Sequence, residues 1–143
     1  MSPTPIGIPS ARQTTLNSQA YQIYHTVNLG ARVAQASSVQ LVLMLTDGLL
    51  EELARARAHI QARRYEAKAR SLNRCIDILN GLASALDYEG GGELVVNLSR
   101  LYNYSSRRLY KAGFDLDLTL IDEVIDLMTN LRKGWQGFQD RHG

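Results

Sequence analysis

Between Tyr65 and Leu86 apolar residues recur at Tyr65, Ala69, Leu72, Ile76, Leu79, Ala83 and Leu86, stepping alternately by four and three. That alternation keeps one stripe on one side of an α-helix and suits near-parallel packing against a second helix. It predicts a helix over about 64–87. A second seam, Ile121, Val124, Met128, Leu131, Trp135 and Phe138, predicts a helix over about 117–138, with Asp117 as its N-cap. A third runs through Leu94, Leu98, Leu101, Ser105, Leu109 and Ala112, predicts a helix over about 93–112, and is weakened in the middle by Ser105. The fourth, over about 39–62, carries Leu41, Leu45, Gly48, Glu52, Ala56 and Ile60 and is opened by Ser37 or Ser38 as a cap.

This last segment has a second stripe. At 100° per residue Leu43, Leu50 and Ala54 fall nearly opposite Leu41 and Gly48, so its first half is apolar on both sides and must be covered on both. Bundle packing accounts for one side and leaves the other for the N-terminal segment or a partner. Residues 17–35 form a weaker predicted helix through Ala20, Tyr24, Val27, Ala31 and Ala34, with Asn28 and Gly30 lowering its propensity, and read as a detachable lid. Residues 1–15 hold all three prolines and show no helical period, which predicts a flexible arm. Breaks at Asp87 to Gly92 and around Gly113 suit helix ends and tight reversals. No strand-like alternation occurs. The expected fold is all-α: an antiparallel four-helix bundle with a short N-terminal capping helix, formed by residues 16–143.

Composition narrows the setting. A chain of 143 residues has the size of one domain with one core. The single cysteine, Cys75, can make no internal disulfide, and no basic region followed by an apolar run stands at the N-terminus, which together point to a reducing, cytoplasmic setting. No apolar run approaches the length that spans a bilayer, so no membrane insertion is expected. Net charge is only +2 but unevenly laid out. Arg55, Arg57, Arg63, Arg64, Lys68, Arg70 and Arg74 face the lone acid Glu66, whereas Asp115, Asp117, Asp122, Glu123 and Asp126 share a stretch without a base. Two solvated faces of opposite sign is the plain reading; attraction of nucleic acid, or of one segment for the other, are the alternatives. With a balanced net charge and no recognition motif, no nucleic-acid partner is expected.

Chemistry is mostly missing. His25, His59 and His142 lie on different elements without a second ligand at i+4, so no metal site is expected. Cys75, beside the Leu72/Ile76/Leu79 seam and without a nearby His, reads as a small buried residue. Gly90-Gly91-Gly92 has acidic flanks, Glu89 and Glu93, and no Lys-Ser/Thr after it, so it reads as loop closure and not as a phosphate cradle. Glu51 and Glu52 point about 100° apart on a helix and cannot share a proton. Neither an enzyme nor a cofactor is expected. Arg107, Arg108 and Lys111 complement the negative end of their helix, and with Tyr102 and Tyr104 they also have the composition of a protein interface.

Several strings of residues are recognisable. Ala36-Ser37-Ser38-Val39-Gln40-Leu41-Val42-Leu43-Met44-Leu45-Thr46-Asp47-Gly48 resembles the signature of the flagellar secretion chaperone FliS family, usually A-S-P-x-x-L-V-x-M-L-Y/F-D-G. Glu66-Ala67-Lys68 leading to Ile76-Asp77-Ile78-Leu79, Glu89 to Leu94 with Asn97-Leu98, Leu101 to Tyr104 with Arg107-Arg108-Leu109, and Asp122 to Ile125 with Trp135 agree in order and spacing over about residues 20–138. Ser38, Thr46 and Ser105-Ser106 depart from the family pattern, as a divergent copy would. The resemblance implies a partner, the C-terminal segment of flagellin, which is disordered as a monomer and is kept from premature polymerisation in apolar grooves. It also implies docking on the export gate protein FlhA through N-terminal tyrosines. The flagellin-binding residues it suggests are Leu41, Leu43, Met44, Asp47, Leu50, Tyr102 and Arg108; those of the lid and export gate are Tyr21, Ile23 and Tyr24. A monomer or weak homodimer is expected. The alternative is a bundle that self-associates or scaffolds through the same apolar groove.

Overall fold

A computed structural model of the chain describes residues 38–142, and these form four α-helices with no strand among them. They are α1 (Ser38–Gln61), α2 (Tyr65–Ser84), α3 (Gly92–Asp115) and α4 (Leu118–His142). Each falls within a few residues of the segment its apolar period predicts. The proposed lid over 17–35, the arm over 1–15 and Ser37 as a cap lie outside the described residues.

The link between α1 and α2 closes with two bonds: the Arg63 N–H donates to the Ile60 carbonyl at 3.1 Å and the Arg64 N–H to His59 at 2.8 Å. Arg63 takes φ 59°, the left-handed position usually given to glycine at a helix end. Between α2 and α3, Asp87 Oδ1 accepts from the N–H groups of Glu89 (3.1 Å) and Gly90 (2.9 Å). Here glycine is required: a Cβ on Gly91 would stand 1.8 Å from Val95 Cγ2, and Gly92 has φ +62°. Loop closure is therefore what the triple glycine does.

Gly113 does not end α3, contrary to its reading as a break. The helix runs through it to Asp115, and Leu116 (φ 56°) makes the reversal. The physical reason for glycine at 113 is packing, because a Cβ there would lie 2.8 Å from Leu72 Cδ1 of α2, and the Gly113 carbonyl accepts from Lys68 Nζ at 3.0 Å. Asp117 caps α4 as expected: its Oδ1 accepts from the Thr119 N–H at 2.9 Å and from the Thr119 hydroxyl at 2.6 Å.

α1 packs on α2 and α4, and α3 also packs on α2 and α4, so the four close a ring around one core. That core joins Leu45, Leu49 and Leu53 of α1, Leu72, Cys75 and Leu79 of α2, Leu98, Tyr102 and Leu109 of α3, and Ile121, Val124 and Met128 of α4. The predicted seams lie in it except at their ends. Tyr65 and Ala69 are exposed at the start of α2, Phe138 is exposed near the end of α4, and Leu94 gives its place on α3 to Val95. The end turns have neighbours on fewer sides than the middle turns, and the outermost seam positions remain in water. Along α1 and α4 the side-chain partners run in opposite numerical order, Arg57 with Asp122 and Asp47 with Arg132.

Candidate functional site

The first half of α1 is enclosed. From Val39 to Leu50 only Gln40 is exposed, as a helix apolar on both sides requires. Leu41, Met44 and Leu50 are half-buried and pack against the core, whereas Leu43 is buried. Leu43, Leu50 and Arg57 are spaced by sevens and so share one stripe, and Arg57 Nε donates to Asp122 Oδ1 of α4 at 2.7 Å. The Arg57 end of the stripe therefore meets α4, and Leu50 packs against the core. Ala54, the last member of the stripe, is exposed.

Asp47 stands on the same flank, paired with Arg132 of α4; the second contact of that fork, from Arg132 Nη2 to Asp47 Oδ2, is 3.3 Å. Arg108 of α3 donates from Nε to Glu123 Oε1 of α4 at 2.7 Å, and the Tyr104 hydroxyl donates to the other oxygen of the same carboxylate. These contacts hold the carboxyl of Glu123 below the usual carboxylate range, first through Tyr104 and then through Arg108. Asp122 is lowered likewise by its hydrogen bond from Arg57. The basic and acidic stretches are thus joined in part, at Arg57 with Asp122, while Arg63 and Arg70 remain exposed without an ion pair among the described residues.

Tyr102 is 2 % exposed and belongs to the core. Burial pushes its phenol up, and the Trp135 indole offsets part of that shift from nearby, although its Nε1 meets no partner in hydrogen-bond geometry. Leu41, Leu43, Met44, Asp47 and Leu50 thus share one helix half, and Arg108 and Tyr102 stand on α3. Tyr21, Ile23 and Tyr24 lie outside the described residues.

The sequence did not single out Arg132, Glu123 and Trp135 for this site, and all three stand on α4. Their signal was present as the acids without bases around Asp122 and as the final seam, but neither names a partner across the fold. Glu52 was also missed. It sits in a predicted core seam and is 1 % exposed, with Arg55 Nη1 donating to Oε1 at 2.9 Å and Arg74 Nη1 at 3.6 Å from Oε2.

No group of three or more potential metal ligands occurs among the described residues, and no helix among them is long and apolar enough to cross a membrane. What this arrangement can do is present an apolar, ion-paired helix surface to another chain.

Comparison with known proteins gives that surface a context. A sequence profile described as flagellar protein FliS matches residues 19–142. The chain is 39% identical over 119 residues to the flagellar secretion chaperone FliSB of Pseudomonas aeruginosa, covering 83% of this chain and 94% of that one. It is 40% identical over 114 residues to the flagellar secretion chaperone FliS of Salmonella typhimurium, covering 79% and 84%, and 40% identical over 116 residues to that of Escherichia coli, covering 80% and 85%. Ordered helices, an apolar α1 and family-wide similarity converge, and the chain belongs to the FliS family of flagellar secretion chaperones.

Proposed function

We propose that this chain is a cytosolic export chaperone that binds the disordered C-terminal segment of flagellin, prevents its premature polymerisation and supports its delivery to the flagellar type III export apparatus. The observation that carries the proposal is the first half of α1, apolar on two flanks, with Leu41, Met44 and Leu50 only half covered, in a chain whose relatives are flagellar secretion chaperones. A client segment that folds as an amphipathic helix on docking gains burial against such a surface and loses the face it uses to polymerise. Leu41, Leu43, Met44, Asp47, Leu50, Tyr102 and Arg108 are the proposed client-binding set. Leu43 and Tyr102 shape it from beneath, since both are buried. Tyr21, Ile23 and Tyr24 are the proposed contacts for lid closure and for the export gate protein FlhA. The opposite numerical order of α1 and α4 supports an antiparallel four-helix bundle as the frame.

Calorimetric titration with a flagellin C-terminal peptide tests this. Binding 1:1 is expected, tighter when residues 1–35 are removed, and weakened about tenfold or more by Met44→Asp. Absence of binding at tens of micromolar by the shortened chain would overturn the reading.

A further inference from the structure

One end of the bundle is apolar and basic at once. The hydrogen bond from Lys68 Nζ to the Gly113 carbonyl, 3.0 Å, lays the first turn of α2 beside the last turn of α3, and the link through Arg63 and Arg64 closes the same end. Four of the eight large apolar side chains exposed among the described residues stand there: Tyr65, Tyr110, Phe114 and Leu116. Phe114 is 89 % exposed, so it projects from the surface and lines no groove. Leu116 keeps an exposed apolar side chain at φ 56°, where glycine would be unstrained, and burial within the chain does not account for it.

The charge at this end is left open as well. Arg63, Arg64 and Arg70 are exposed, and none has a carboxylate within ion-pair distance among the described residues. Arg64 Nε donates to His59 Nδ1 at 3.0 Å, a contact that leaves its charge uncompensated. Of the nearby acids, Asp115 faces Lys111 at 3.4 Å and Asp117 is taken up by Thr119, which leaves Glu66 against the three arginines. Contact with an anionic bilayer uses this combination: apolar tips enter the headgroup layer, tyrosines sit at its level, and cations meet the lipid phosphates. An acidic peptide helix would need a groove to cover its apolar face, and the most exposed ring here offers none.

We propose that this end of the bundle docks on an anionic phospholipid surface, with Phe114 and Leu116 entering the headgroup layer and Arg63, Arg64 and Arg70 facing lipid phosphates. The contact is peripheral, since no helix among the described residues is long and apolar enough to cross a membrane. α1 starts at Ser38 and reaches this end only at Gln61, so Leu41 to Leu50 stand toward the other end, about 16 Å or more away along the helix axis, and stay clear of the bilayer.

Co-sedimentation of the full chain with vesicles tests this. Binding is expected to vesicles of phosphatidylglycerol mixed with phosphatidylcholine, about tenfold or more weaker on phosphatidylcholine alone, and falling as salt rises from about 0.1 to about 0.5 M. Phe114→Ser should lower partitioning about tenfold, and Arg63→Gln with Arg70→Gln should do so by about tenfold or more. Leu116→Gly separates docking from folding: its melting temperature should hold while partitioning falls several-fold. Lys133→Gln, which removes an exposed cation of α4 outside the patch, should bind as the parent chain does. No binding at millimolar anionic lipid, equal binding to neutral vesicles, partitioning indifferent to Phe114→Ser, or a loss as large in Lys133→Gln would each overturn the proposal. So would retention of poly(U) by a chain that binds no vesicle, which would make the partner of these arginines a nucleic acid.

Discussion

Glu52 illustrates how one residue can be core by position and charged by nature. A carboxylate almost without exposure is held by Arg55 from its own helix and Arg74 from α2, both half-exposed. Removing the bases should cost more than removing the acid, because a buried charge left alone keeps its desolvation cost. Arg55→Ala with Arg74→Ala is expected to lower stability by about 1–3 kcal/mol in urea unfolding, and adding Glu52→Met to that pair should restore most of it. If the triple variant is no more stable than the double, the carboxylate is not the costly member. Beside it, Cys75 is fully buried and its thiol is pushed up, chiefly by burial and then by Glu52, so it packs as a small apolar residue.

At the scale of the element, the ends of the helices are where local rules are bent. Leu116 occupies a left-handed position that glycine takes without cost. Leu116→Gly should therefore hold or raise stability by up to about 1 kcal/mol, whereas Gly91→Ala should lower it by more than that, since its Cβ would meet Val95 and the Asp87 carbonyl. Asp117→Ala removes the α4 cap and should cost about 1 kcal/mol. Thermal melts of the three variants order them. These cases also mark how far the sequence can be read. The seams located all four helices because period is a property of one element, and Asp117 was legible because capping is local. Gly113 was misread because its role depends on Leu72, 41 residues away, and composition alone cannot distinguish a glycine for a turn from a glycine for close packing. The same distance hid the pairings of Asp47 with Arg132 and of Arg57 with Asp122.

Over the whole molecule, α4 takes part in three of the four ion pairs that join helices among the described residues. Asp117, Asp122 and Glu123 are each held below the usual carboxylate range, by Thr119, by Arg57, and by Tyr104 with Arg108. A carboxylate whose folded pKa is depressed adds stability above its unfolded value, about 4, and loses it as pH falls through the folded value. The melting temperature should therefore be level from about pH 7 to 5 and fall below about pH 4, and Asp122→Asn with Glu123→Gln should make that fall shallower. An equally steep fall in the double variant would place the acid sensitivity elsewhere.

Burial along α4 is uneven: Leu120, Ile121, Val124 and Met128 are buried, and no described residue after Met128 is. From there to His142 the helix is held by the half-buried Leu131 and Trp135 and by the Arg132 pairing with Asp47. The molecule consequently has a firm end and a yielding one. Lifting the last turns of α4 exposes little apolar surface compared with opening the core, so their amides should exchange with solvent sooner than those around Ile121 to Met128.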